Sequence, residues 1–315
     1  MADPRWTVGS NQYKRTLRPI SDSSEPEVGL VAANPYMSFG PELLKSRAIL
    51  LDVLRRLSAQ ADAVTVLGAH AVWEQTKHVS FLPPMDSTND ADLGISPKLL
   101  LDTPLVSVAM EEAGLELANP SRPGVWGLAS EAELPLRSRL TIDLIVPASV
   151  AGKGTRSADT GEHGKHIASR TEGTELSLLD RQWLELESFD GGEPRSGWVA
   201  GHAALICAKV YKISDRLDPK ELARNPERYK PKDIADVFRL VVASDGAAVR
   251  QVFEAGIARD NISAAVTEGK RRLLALASRD NGRFITGEVM QQWGDTLTRD
   301  FVQQQFSEWF AAFGP

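Results

Sequence analysis

Apolar residues recur along this chain in two rhythms, and the switches between them mark its elements. Leu44, Ala48, Leu51, Val53, Leu54 and Leu57 follow helical spacing, and Pro41 suits the first turn of the helix they predict. Ala63-Val64-Thr65-Val66-Leu67 is a short β-branched run closed by Gly68, which predicts a buried strand. A helix over 69–77 follows, and Pro83-Pro84 then breaks the chain. Residues 89–95 alternate polar and apolar and predict a second strand, and 103–113 predict a helix capped by Thr103. The clearest strand covers 139–147 and is stopped by Pro147. Gly, Ser, Thr and charged residues dominate 151–173, which predicts a loop. Beyond Trp198 the rhythm is helical almost to the end, with helices over 200–214, 231–243, 247–258, 262–278, 286–293 and 297–313 and Asn261 as the cap of the fourth.

These elements predict an α+β fold: a small mixed β-sheet domain over 39–190, then an all-α C-terminal domain over 191–315, divided near Gly191-Gly192. Residues 1–38 are polar around Ser21-Asp22-Ser23-Ser24-Glu25-Pro26-Glu27 and read as an arm with little to bury. A length of 315 residues accommodates two domains, and 42% apolar with 25% charged residues excludes wholesale disorder. The net charge of -6 argues against a general polyanion binder but leaves room for a local basic patch. A single cysteine, Cys207, excludes an internal disulfide framework and any multi-cysteine metal site. No apolar signal-peptide core follows Met1, and no run approaches the ~18 apolar residues of a membrane span. A cytoplasmic protein with no membrane partner is the expectation.

Candidate chemistry begins with Asp90 and Asp92. Residues i and i+2 of a strand share a face, roughly 6.6 Å apart along the chain. Neighbouring carboxylates repel unless they are solvated, protonated or bridged by a cation. Asp143 adds a third acid amid the apolar Ile142, Leu144 and Ile145, where it is costly unless its face opens onto a site. Three carboxylates on adjacent strands suit two Mg²⁺ ions about 3.5–4 Å apart, a clamp for in-line displacement at phosphorus. The plainer alternative is a D-x-D pair marking the surface entrance of a strand.

Val66-Leu67-Gly68-Ala69-His70-Ala71, Thr88-Asn89-Asp90-Ala91-Asp92-Leu93 and Thr141-Ile142-Asp143-Leu144-Ile145 together resemble the nucleotidyltransferase superfamily related to DNA polymerase β. Ala204-Leu205-Ile206-Cys207-Ala208-Lys209, Asp215-Arg216 and Lys232-Asp233-Ile234-Ala235-Asp236-Val237 resemble its AbiEii-type toxin branch, so the likeness spans 64–240. The resemblance implies Mg²⁺ (or Mn²⁺) at Asp90, Asp92 and Asp143, with Asp143 completing the metal site or acting as base. It implies an NTP co-substrate at the Gly68-Ala69-His70 turn, a phosphate contact from Lys209, and Asp233 holding that lysine or the acceptor. It further implies an RNA acceptor such as the tRNA 3′ end, and a cognate antitoxin as partner. Ala69 stands where the family carries Gly or Ser, and the interval from Gly68 to Asp90 is longer than the family's. A small-molecule nucleotidyltransferase and a non-catalytic nucleotide or RNA sensor are the alternatives.

Between Lys209 and Lys232 eight basic and four acidic residues leave a local +4, so the remainder of the chain carries -10. Lys209, Lys212 and Arg216 share one helical face, which could hold a triphosphate against the acids, while the outer basic residues could receive an RNA backbone. A solvated face with ordinary salt bridges is the alternative. Asp233 and Asp236, one helical turn apart, also fit the favourable charge of a helix start. Ala151-Gly152-Lys153-Gly154-Thr155 lacks the spacing of a phosphate loop. Glu162-His163 and His166 are weak metal candidates, Cys207 reads as a small buried hydrophobe, and His70 fits a hydrogen-bonded helix start as well as a phosphate contact.

Overall fold

A computed structural model describes residues 39–85, 88–119 and 121–314. The expected arm over 1–38 lies outside the described residues. In chain order the elements are α1 (Pro41–Arg56), β1 (Val64–Leu67), α2 (Gly68–Thr76), β2 (Asp90–Ile95), α3 (Val106–Glu112), β3 (Leu115–Leu117), β4 (Val125–Leu128), β5 (Thr141–Pro147), β6 (Ser169–Thr171), β7 (Arg181–Leu186) and β8 (Arg195–Ala200). The helices α4 (His202–Arg216), α5 (Pro219–Arg224), α6 (Lys232–Val242), α7 (Gly246–Ile257), α8 (Ser263–Ser278), α9 (Arg283–Trp293) and α10 (Arg299–Phe313) complete the chain.

The strands form one mixed sheet in the order β3-β4-β5-β2-β1-β8-β7, with β6 joined to β5. β2 runs parallel to β5 and antiparallel to β1, and β1 runs parallel to β8. A mixed α and β architecture, strands first and helices after, is therefore present. Its sheet is larger than the small one expected. The predicted division at Gly191-Gly192 falls in the hairpin joining β7 to β8, and β8 is an interior strand beside β1. Sheet structure thus continues to Ala200. One buried apolar cluster runs from Leu50 on α1 through Val66, Leu93 and Ile142 in the sheet to Cys207, Phe238 and Phe313 in the helices. No helix among the described residues is long and apolar enough to cross a membrane.

Two predicted caps differ from the structure. Thr103 precedes the helix that was expected to begin with it: α3 starts at Val106, whose backbone N–H donates to His163 Nδ1 at 3.0 Å, so a distant ring does the work of a local cap. Asn261 lies outside α8, whose N-cap is Ile262 with no side-chain hydrogen bond. The short α5 was not foreseen; Asp218 caps it, accepting from the backbone of Lys220 and Glu221. The helices that matter for the site are α2, α4 and α6, which pack against one another. On α6, Ile234, Val237, Phe238 and Val241 face the core, which leaves Lys232, Asp233 and Asp236 near the sheet-side end.

Candidate active site

Strand alternation sorts the acids from the core. Ala91, Leu93 and Ile95 of β2 are buried on one face, so Asp90 and Asp92 occupy the other. On β5, Ile142, Leu144 and Val146 are fully buried, and Asp143 takes the opposite face. The parallel register pairs Asp92 with Asp143 and Asp90 with Thr141. Neighbouring strands are about 4.8 Å apart, so the three carboxylates share one patch, as the sequence led us to expect. β1 then turns sharply into α2 at Gly68, whose φ is +62°, and a Cβ there would run into the Asp92 carboxylate. Glycine is required at that turn both for its left-handed backbone and because Asp92 lies over it.

Crowding determines the protonation of this patch. Burial, followed by the charges of Asp92 and Asp90, raises the Asp143 carboxyl to about 8, against the pull of Arg122 and Lys212. Burial and Asp90 raise Asp92 to about 6, with Lys212 and Lys209 opposing. Burial pushes Asp90 the same way, but the Thr88 hydroxyl that donates to it, then Lys212, Lys232 and Lys209, hold it below the usual carboxylate range. Asp143 Oδ1 is buried and has no hydrogen-bond partner. A buried acceptor without a donor is expensive, and a hard cation or a proton would satisfy it. Among the described residues no group of three or more His, Cys, Asp and Glu side chains is arranged so as to hold a metal ion. The acids form an open, one-sided donor set, the kind that a cation shares with oxygens from a bound molecule.

The cationic side comes from α4 and α6. Lys209 Nζ donates to Asp233 Oδ1 at 3.2 Å and to Asp236 Oδ2 at 2.5 Å, and its side chain is only 8% exposed. Burial alone would lower this ammonium, yet Asp236 and Asp233 raise it above its ordinary range. Lys212 Nζ stands 3.0 Å from Asp233 Oδ1 with its side chain 42% exposed. Arg216 completes the set, 2.6 Å from Asp233 Oδ2. Asp233 is itself 1% exposed; burial opposes its ionisation, but Lys209, Lys212 and Arg216 together hold it far below the carboxylate range. Burial, with Lys209 and Arg216 nearby, lowers Lys212, against Asp233 and Asp92.

The predicted residues therefore separate. Asp90, Asp92, Asp143 and Gly68 meet at one place. Lys209 and Asp233 meet each other, which bears out the reading of a lysine buried against a carboxylate; Lys209 is not the lysine that is open to the acids. Ala69 lines a groove of about 320 Å³, counting the part open to solvent, with Val72, Trp73, Met85, Lys232, Asp236 and Arg239. His70 departs from the phosphate-contact expectation. Its ring is fully buried, 3.2 Å from Ser46 Oγ on α1, and burial followed by the Arg47 charge lowers it to about 3. It is a neutral packing group between α1 and Phe189.

Three contributors escaped the sequence reading. Thr88 was quoted within the motif without a role. Lys232 was quoted within a motif and counted in the basic run without a role at the site, although it lines the groove and acts on Asp90. Arg122 sits on a turn ending at Gly124, where a Cβ would strike the backbone of Leu144 on β5; that close approach brings the arginine's charge to Asp143. The discounted residues are structural. His163 bridges Val106 and Leu101, and Cys207 is buried with its thiol pushed up. No protein-family model, curated protein or solved structure matches this chain.

Proposed function

We propose that this protein is a divalent-cation-dependent nucleotidyltransferase that moves an NMP from an NTP to an acceptor hydroxyl and releases pyrophosphate. The observation that carries the reading is the in-register pair Asp92 and Asp143, with Asp90 on the same face and Lys212 opposite. The orphaned Asp143 Oδ1 and the raised Asp92 and Asp143 carboxyls fit a donor set for a cation. Asp90, Asp92 and Asp143 would hold Mg²⁺ or Mn²⁺. When bound, the ion neutralises phosphate charge and polarises the phosphoryl group under attack.

The chain's own groups orient the rest. The first backbone N–H groups of α2 have no side-chain cap, and the helix begins at Gly68 beside Asp92, so phosphate oxygens could accept from them. Ala69 supplies no hydroxyl, so phosphate binding relies on those N–H groups and on the part-exposed cations of α4, Lys212 and Arg216. The acceptor oxygen attacks the α-phosphorus while the bond to pyrophosphate breaks. Asp143, ionised once a cation displaces its proton, would complete the metal site or receive the acceptor proton.

Resemblance supplies the proposed acceptor, an RNA such as the tRNA 3′ end, together with a toxin role and an antitoxin partner. A second reading, a non-catalytic nucleotide or RNA sensor, is favoured by Ala69; a small-molecule acceptor is distinguished by activity without RNA. The test is incubation of labelled NTPs with total RNA and Mg²⁺, with Asp90→Ala alongside. Label transfer and pyrophosphate release by the wild type, lost in the variant, are expected. NTP binding without pyrophosphate release under any acceptor would leave the sensor.

A further inference from the structure

We propose that Lys212, positioned by Asp233, is the triphosphate-binding cation of this site, and that Lys209 is a structural strut. The inference rests on the proposed use of phosphate and assigns its contact to a residue that the likeness to known motifs did not.

The two lysines are one turn apart on α4 and share Asp233 Oδ1, at 3.2 Å for Lys209 and 3.0 Å for Lys212. An ammonium has three N–H donors. Lys209 commits two of them, the second to Asp236 at 2.5 Å, in an 8% exposed position. Lys212 has one ion-paired carboxylate among the described residues and a side chain 42% exposed, so two donors remain for a ligand. Its charge acts on Asp90, Asp92 and Asp143, and at Asp90 and Asp92 it ranks ahead of that of Lys209. Lys212 forms no ion pair with any of the three. The ammonium and the three acids are therefore separated by more than ion-pair distance.

Carboxylates and a tethered ammonium held apart in this way suit a polyphosphate chain. Oxygens on one edge meet the cation held by the acids, and oxygens on the other meet Lys212. Asp233 fixes the direction of Lys212 because its own position is overdetermined: it is buried, and Lys209 and Arg216 hold it from two further directions.

Inorganic tripolyphosphate with Mg²⁺ is the probe, since it carries the charge and no base. Calorimetric titration of the full chain at two salt concentrations is expected to give about tenfold weaker binding and a shallower salt dependence for Lys212→Gln, with Lys212→Arg recovering most of both. Lys209→Met is expected to melt earlier and yet bind within about twofold of the wild type once folded. Wild-type binding by Lys212→Gln overturns the proposal, whatever Lys209→Met does, and so does failure of the wild type to bind. Should Lys209→Met not fold, the Gln and Arg variants of the half-exposed Lys212 decide alone. Tripolyphosphate binding that depends on Lys212, with no pyrophosphate release from NTPs, would keep this assignment and remove nucleotidyl transfer.

Discussion

Asp92 and Asp143 stand opposite one another on parallel neighbouring strands, their carboxyls on the same face, and one oxygen of Asp143 is buried without a donor. An apolar sheet would not place two acids there at no cost. The linkage is direct: both carboxyls titrate above an unfolded aspartate, Asp92 at about 6 and Asp143 at about 8. The folded state therefore holds protons that the unfolded chain has released, and stability falls as pH rises from about 4 through 8. Urea denaturation with chelator present is expected to show that decline, by at least about 1.4 kcal/mol, the worth of one pKa unit. Asp143→Asn is expected to flatten it. A wild-type curve level across this window would contradict the strained-acid account.

A divalent cation reverses that dependence. Binding requires the carboxylates, so it releases protons and strengthens with pH. Mg²⁺ is expected to raise the melting temperature more at pH 8 than at pH 6, and calorimetry in buffers of different ionisation enthalpy should report the released protons. Asp90→Ala is expected to remove most of the Mg²⁺ effect.

Gly68 and Asp92 are coupled by contact. Gly68→Ala places a methyl group against the Asp92 carboxylate and forces alanine into a left-handed backbone, itself unfavourable by about 1–2 kcal/mol. In an Asp92→Ala background the collision disappears and the backbone cost remains. A double-mutant cycle is expected to give a coupling energy above about 0.5 kcal/mol. Strict additivity would mean that Asp92 does not rest on the turn.

The acids were legible in the sequence because strand alternation is local: Asp90, Asp92 and Asp143 interrupt apolar runs at period two, and short runs ending at Gly68 and Pro147 bound their strands. β8 was not legible. Arg195–Ala200 contains Gly197 and carries no clean alternation, and its place in the sheet depends on β1, far away in the chain. His70 shows the same limit, since Phe189 and Ser46 bury it from separate elements. Lys209 and Lys212 look alike on one helical face. Asp236 on α6 separates them by engaging only the first, and no pattern within α4 encodes that.

The strut assigned to Lys209 has an energetic signature of its own. Lys209→Met leaves Asp236 without its 2.5 Å partner and removes one of three cations from the buried Asp233. Breaking a buried pair from one side costs about 3–5 kcal/mol, and the two cations left on Asp233 place this case near the lower figure. Replacing both partners, as in Lys209→Met with Asp236→Leu, removes the stranded charge along with the pair and is expected to recover most of the loss. Lys212→Gln should be less destabilising than Lys209→Met, because the Lys212 side chain is 42% exposed and Asp233 keeps Lys209 and Arg216 as partners. Urea midpoints for the three variants check the order. If Lys212→Gln were the most destabilising, Lys212 would be the strut, and the division of labour between the two lysines would be reversed.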